Sequence, residues 1–312
     1  MPQVPVATGL AGVQALWVEK YQPLVGQDGL LAIPSVAEVA MLVPSTVSEE
    51  VYAALSAAPG LSEHEGELII AALVAGKLQL VNKDYDAALG IPKNDFNDDR
   101  LGLHRARVID MSAKATWHPT KLIAETLEAN PKAFDGTALF AGSRTKSVLS
   151  DIDNDLAPAM AATAPTDIEM ETAIKEAISA LRSFADDQGD PIALGAEFGV
   201  LVPTALSWQA RACENDATIG PVAGLKVNTV RGQFTSGMNP FFTSAVVMYT
   251  YIRNRATKPL FIQERQALQT ETLGEGSDEW VKKNRAVFKA SARRACAAAH
   301  PAFIVKSTFT HT

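Results

Sequence analysis

Three carboxylates, Asp95, Asp98 and Asp99, crowd around Phe96. Two acids this close could share acid–base work, one protonated and one ionised. Asp is also a residue that turns the chain and caps helices, and Asp98 or Asp99 stands where a helix opening at Leu101 needs its cap. Asp151, Asp153 and Asp155 begin like a calcium loop. That loop needs Gly at its sixth position and Glu at its twelfth, and the chain has Leu156 and Ala162 there. A solvated acidic turn is the plainer reading. The histidines His64, His104, His118, His300 and His311 never fall at HExxH or HxxxH spacing, so no metal ligand set emerges. Cys213 and Cys296 form no CxxC pair and read as small buried hydrophobes in a reducing compartment. Arg293-Arg294 is a compact basic patch that could touch a phosphate or pair with the acidic stretch. No GxGxxG, GxxxxGK[ST] or GxSxG is present, so no catalytic residue, cofactor site or metal site is assigned.

The elements that would carry these residues are uneven. Residues 9–22 can form a short helix with Leu10, Val13, Leu16 and Trp17 on one stripe, broken by Pro23, Gly26 and Gly29; this reads as an arm rather than a core element. Residues 36–92 read as a long β excursion. Strands are expected at Val39–Val43, Leu78–Val81 and Ala87–Ile91, with Asp84 and Asp86 near a turn. Pro59-Gly60 and the acids Glu63, Glu65 and Glu67 suggest a turn and a solvated tip, while Leu68–Ala75 could be a short helix. Residues 101–129 form the clearest helix, kinked or restarted at Pro119 and stopped by Asn130-Pro131. Thr166 and Glu169 have capping-box spacing before a helix over 166–185. Phe198–Val202 is a strand, Pro203 opens a helix to Cys213, and Leu225–Val230 is a further strand. Residues 240–252 are a strand or a buried helix. Residues 278–299 are rich in helix formers, yet Ala286-Val287-Phe288 and Phe303-Ile304-Val305 look like strands.

Of the 312 residues, 47% are hydrophobic and 20% charged, which excludes disordered, collagen-like and coiled-coil chains. The net charge is −7, which argues against nucleic-acid binding by bulk electrostatics. The charge is segregated. Residues 151–187 hold nine acids and two bases, a net −7, and residues 253–312 hold eleven bases and five acids, a net +6. Such patches are candidates for contacts between copies of the chain. The first 18 residues carry no charge, so there is no signal-peptide n-region. Residues 232–252 are uncharged but contain Gln, Asn, Pro, Ser and Thr, so a buried element is expected there and no membrane span.

One stretch is more specific than any of these. Asn82-Lys83-Asp84-Tyr85 leads to Gly90-Ile91, then Asp95-Phe96-Asn97-Asp98-Asp99-Arg100-Leu101-Gly102. This resembles the major head protein family of phage Mu and Mu-like prophages. The resemblance continues in order through Pro119, Leu122-Ile123, Phe134-Asp135-Gly136 with Phe140, and the strand Phe198–Pro203. It resumes at Lys258-Pro259, Gln263-Glu264-Arg265 and Ala290-Ser291 with Arg293-Arg294-Ala295. After Phe140 the family tends to an acid and His-Pro, whereas this chain reads Ala141-Gly142-Ser143-Arg144.

The resemblance implies an α+β fold of the Hong Kong 97-like capsid type. Residues 1–35 would be the N-terminal arm, 36–92 the extended β loop and peripheral strands, and 93–135 the peripheral domain's spine helix. Residues 136–250 would be the axial domain and 251–312 a return to the peripheral domain, with part of the Ala-rich tail extended against its propensity. The implied function is a major capsid protein, not an enzyme. Copies would form hexamers and pentamers in an icosahedral shell around packaged double-stranded DNA, which is contacted non-specifically. The implied partners are a scaffold or protease, a portal and decoration proteins, with a separate scaffolding protein expected. The location would be the virion, and the host cytoplasm during assembly. The alternatives are an encapsulin-like compartment, or a two-domain α/β enzyme using the Asp95–Asp99 cluster in a deep pocket.

Overall fold

The computed structural model describes residues 11, 12, 14–17, 34–46, 49–54, 76–97, 101–144, 152–186 and 189–311. The expectations at Pro59-Gly60, Glu63–Glu67, Leu68–Ala75 and Asp98–Asp99 lie outside these residues. The first half comprises α1 (Val36–Val39), β1 (Ala40–Pro44), β2 (Glu49–Ala54), β3 (Gly76–Val81), β4 (Lys83–Pro92), α2 (Lys93–Asn97) and α3 (Leu101–Ala129). The middle adds β5 (Asp155–Leu156), β6 (Ala159–Met160), α4 (Asp167–Ser183), β7 (Phe198–Val202), α5 (Ser207–Asn215), β8 (Thr218–Ile219), β9 (Lys226–Val227), β10 (Phe234–Met238) and β11 (Val247–Ile252). The tail supplies β12 (Leu260–Leu273), α6 (Asp278–Lys283), β13 (Arg285–Ala298), β14 (Ile304–Thr308) and β15 (Thr310–His311).

Two sheets organise the chain. The first runs β1-β12-β13-β4, with β1 parallel to β12 and the other pairs antiparallel. The second runs β10-β7-β11-β14-β5. The hairpin β2–β3 projects from the first sheet, joined to β4 through the single residue Asn82.

Period-two burial decides the tail. Along β13, Ala286, Phe288, Ala290, Ala292 and Arg294 are buried while Val287, Lys289, Ser291 and Arg293 are half-buried. A strand puts these two sets on opposite faces. Burial of the first set against α3 outweighs the weak helix preference of the alanines. Residues 83–92 likewise form one strand, so Asp84 and Asp86 lie within the ladder rather than at a turn. The strand expected at Leu225–Val230 shrinks to Lys226–Val227, paired with β8.

Helix α3 runs unbroken through Pro119. Proline removes one backbone donor, but Leu122, Ile123, Ala124 and Leu127 are buried immediately beyond it and hold the axis. Asn130 ends the helix in the left-handed region at φ 47°, a conformation that Asn tolerates. The capping box forms as its spacing predicts, with Thr166 and Glu169 each bonding the other's backbone N–H.

Helices α4 and α5 cover one face of the second sheet through Met170, Ile174, Leu181, Ala210 and Cys213. Its other face, with Leu201, Tyr249 and Tyr251, meets Ile123 and Leu127 of α3, Val36 and Val39 of α1, and Leu260 and Ile262 of β12. The end of the long helix is thus a wedge between the sheets. Residues 251–312, expected to return to the peripheral domain, divide between the two sheets: β12 and β13 build the first, and β14 pairs with β11 in the second. The short N-terminal helix is no loose arm. Trp17 is 2% exposed and stacks on Phe288 with ring centroids 5.4 Å apart. Among the described residues, no helix is long and apolar enough to cross a membrane.

Candidate assembly site at the root of the hairpin

Three motif stretches far apart in sequence meet where the hairpin joins the first sheet. Register places Asp84 opposite Arg293 and Lys83 opposite Arg294, while Arg294 lies opposite Glu264. Arg293 Nε reaches Asp84 Oδ1 at 3.1 Å, and Arg294 Nε donates to Glu264 Oε1 at 2.7 Å. Arg265 donates to Thr46 O at 2.6 Å, just past β1, and Ser45 N donates to Glu264 O at 3.0 Å. Gln263 and Asn82 are buried beside these ion pairs. Tyr85 meets His118 of α3 edge-on, with ring centroids 4.3 Å apart. Burial, then Glu125, raises the Tyr85 phenol, and burial, then Arg294 and Lys121, lowers the His118 imidazole. The hairpin root is therefore tied laterally across the sheet.

A second constellation fixes the turn after α3. Gly136 has φ 78°, where a side chain would be strained. Asp135 accepts from Thr137 N at 3.1 Å, and Asn130 exchanges two hydrogen bonds with the Phe140 backbone, at 2.8 and 3.1 Å. Arg144, at the point of departure from the family pattern, is fully buried. It pairs with Asp135 and donates to Leu139 O at 2.7 Å and to Ala138 O. Asn154 completes the joint by donating to Leu139 O at 2.8 Å and Pro301 O at 3.0 Å, and accepting from Ala141 N at 3.0 Å. Sequence reasoning missed Arg144 and Asn154. The first looked like part of a variable turn, and the second hid among the acids of 151–155.

The remaining motif residues serve other links. Asp95 lies in the first turn of α2 and its Oδ2 sits 2.6 Å from His104 Nε2. Gly90 and Ile91 lie in the last residues of β4, where Ile91 is fully buried, and Gly102 lies in the first turn of α3. The side chains of Phe96 and Leu101, like Asp98 and Asp99, lie outside the described residues. Lys258 donates to Arg253 O, and Pro259 O accepts from Ala299 N at 2.8 Å.

The segregated bases find partners within their own chain. All eleven bases of 253–312 have partners within the chain. Arg253 pairs with Glu38, Lys289 with Asp86, Arg293 with Asp84, Arg294 with Glu264 and Lys306 with Asp155. Lys282, Lys283 and Arg285 pair with Asp278 and Glu279, while Arg255, Lys258 and Arg265 donate to backbone carbonyls. On the acidic side, Glu169 closes the capping box and Glu171 accepts from Thr229 N at 3.0 Å. Arg293-Arg294 therefore pairs with Asp84 and Glu264, not with the acidic stretch. Among the described residues, no group of three or more His, Cys, Asp or Glu could hold a metal. Cys213 is buried, and burial pushes its thiol up to about 12.

A four-stranded sheet backed by one long helix, a projecting hairpin and a second five-stranded sheet define the fold of phage capsid proteins, the Hong Kong 97-like fold. The procapsid protein of bacteriophage JBD30 superposes with a TM-score of 0.52 at 18% identity, over 96% of this chain and 74% of that one. The capsid protein of cyanophage P-SCSP1u gives 0.55 at 9% identity, over 88% and 87%.

Residues 25–159 match the family model described as Mu-like prophage major head subunit gpT. The major capsid protein of Escherichia phage Mu is 31% identical over 117 residues, which is 36% of this chain and 38% of that protein. The match spans well under half of that relative's length. The resemblance to the Mu-like major head family holds, and these relatives are structural capsid proteins rather than enzymes.

Proposed function

We propose that this chain is the major capsid protein of a tailed phage or Mu-like prophage. Copies assemble as hexamers and pentamers and close into an icosahedral shell around double-stranded DNA, which they contact non-specifically. The carrying observation is that the Mu-like head match, residues 25–159, includes the hairpin strands, the β4 side of its root and the whole of α3. The first sheet with α3 would be the peripheral domain and the second sheet the axial domain. Each contact between copies can be weak, because one subunit makes many at once. A head-to-tail surface whose rotation closes gives a ring rather than a filament.

In this reading the motif residues are structural. Asp84, Arg293, Arg294 and Glu264 set the direction in which the hairpin leaves the subunit, and Asp135, Gly136 and Phe140 set the angle between the sheets. Scaffold or protease, portal and decoration proteins are the expected partners, with assembly in the host cytoplasm and a final place in the virion. Asp95 pairs with His104 at 2.6 Å, and the enzyme alternative would have to use that pair. Electron microscopy of the purified protein tests the proposal. Uniform shells or tubes are expected, and a population of small particles alone would sink it. Nuclease-protected DNA in particles from infected or induced cells separates a virion from an encapsulin-like compartment.

A further inference from the structure

Among the described strands, the chain passes between the two sheets three times: after α3, between β11 and β12, and between β13 and β14. Such crossing segments carry backbone N–H and C=O groups that no sheet ladder pairs, and each buried one needs a partner.

Asn154 supplies several of these partners at once. Its side chain is fully buried. In the first crossing it donates to Leu139 O at 2.8 Å and accepts from Ala141 N at 3.0 Å. In the third it donates to Pro301 O at 3.0 Å and to Ile304 O, at the start of β14, at 3.2 Å. Its own backbone bonds Ala141 and Lys306. The second crossing is tied on by Ala299 N, which donates to Pro259 O at 2.8 Å. An amide fits this place because it offers donors and an acceptor together. A carboxylate would turn only acceptors toward three carbonyls.

We propose that Asn154 is a positioning residue for assembly: by locking the crossings to one another it fixes the angle between the two sheets, and through that angle the single size of the shell. This rests on the capsid reading above. In a closed assembly the same contacts repeat from copy to copy, and closure depends on the rotation between them. A subunit whose two sheets tilt against each other presents its contacts at a different rotation. Without the amide, three carbonyls and one N–H lose a buried partner, and the crossings must rearrange to find others.

Asn154→Ala and Asn154→Ser test this in the full-length chain, since a serine hydroxyl can donate to only one of the three carbonyls. Spin labels at Ala267→Cys on β12 and Ser179→Cys on α4, both exposed positions, read the distance between the sheets by pulsed electron spin resonance. Labelled copies are diluted into unlabelled ones. Burial pushes both native thiols up to about 12, so at neutral pH the label goes to the introduced cysteines. A single narrow distance is expected for the parent chain, and a shifted or broadened one for the Asn154 variants. Electron microscopy should then show particles of one diameter for the parent and mixed diameters for the variants. Ile174→Ala opens a cavity on the α4 side of the second sheet. It controls for lost stability alone and should keep both the distance and the diameter. An unchanged distance in the Asn154 variants, an unchanged diameter beside a changed distance, or equal changes in Ile174→Ala would each overturn the proposal. A parent chain that forms no shells would sink the capsid reading and the claim on shell size with it, and the spin-label distance would still decide the claim on the angle.

Discussion

Arg294 and Glu264 face each other across β13 and β12, and the guanidinium is almost wholly buried while the carboxylate is partly exposed. Replacing Glu264 by Ala leaves a buried cation without its counter-charge, which is the expensive way to break an ion pair. Because Glu264 still sees solvent, the expected loss is about 2 kcal/mol. Asp84→Ala breaks the neighbouring pair with Arg293, but Asp84 is 71% exposed, so it should change stability by less than about 0.5 kcal/mol. Urea denaturation of both variants checks the contrast. Equal losses would mean that burial is not what ranks the two pairs.

The turn after α3 gives a sharper case. Arg144→Met strands the Asp135 carboxylate, whose side chain is only 4% exposed, and should cost about 3–5 kcal/mol. The double variant Asp135→Leu with Arg144→Met removes both charges and should lose less than the single one. A double variant at least as unstable as Arg144→Met, in the same denaturation experiment, would refute this account of the pair.

Gly199 pairs with Tyr251 across β7 and β11. A Cβ there would lie 2.4 Å from Tyr251 Cζ, closer than atoms can approach. Gly199→Ala should therefore destabilise by about 2–3 kcal/mol. Adding Tyr251→Leu should recover part of that loss, because the two sites share one contact. Thermal unfolding of the three variants reads both effects.

His300 lies between Phe134 and Phe303, with ring centroids 5.4 and 5.3 Å away. Burial lowers its pKa to about 4 from an ordinary value of 6.5. Between these values the unfolded chain binds the proton and the folded chain does not, so stability falls as pH drops from 6.5 towards 4. The full effect is on the order of 3 kcal/mol. His300→Phe keeps the aromatic packing and should flatten that part of the pH–stability curve. An unchanged slope in His300→Phe would assign it to other groups.

Much of the fold was legible because burial in this chain follows simple periods. Val39–Val43, Phe198–Val202 and the helix at 101–129 are found within a residue or so of where their patterns put them. The Ala-rich tail was legible only with the family resemblance, since alanine favours a helix locally and β13 is decided by what packs on it. Asp84 and Asp86 were misplaced to a turn because Asp is common in turns, while their cross-strand partners Arg293 and Lys289 lie some 200 residues away. The burial of Trp17 was missed for the same reason: its partner Phe288 belongs to the other end of the chain. Pattern reasoning sees neighbours in sequence, and the hairpin root is made of neighbours in space.

Because β3 passes into β4 through Asn82 alone, a load on the hairpin would be passed directly to β4. The ten register pairs between β4 and β13 would then have to slide together rather than open one at a time. A ladder loaded in that way yields at higher force than one that is unzipped from its end. A pull on the hairpin would thus be borne by the whole β4–β13 ladder at the edge of the first sheet.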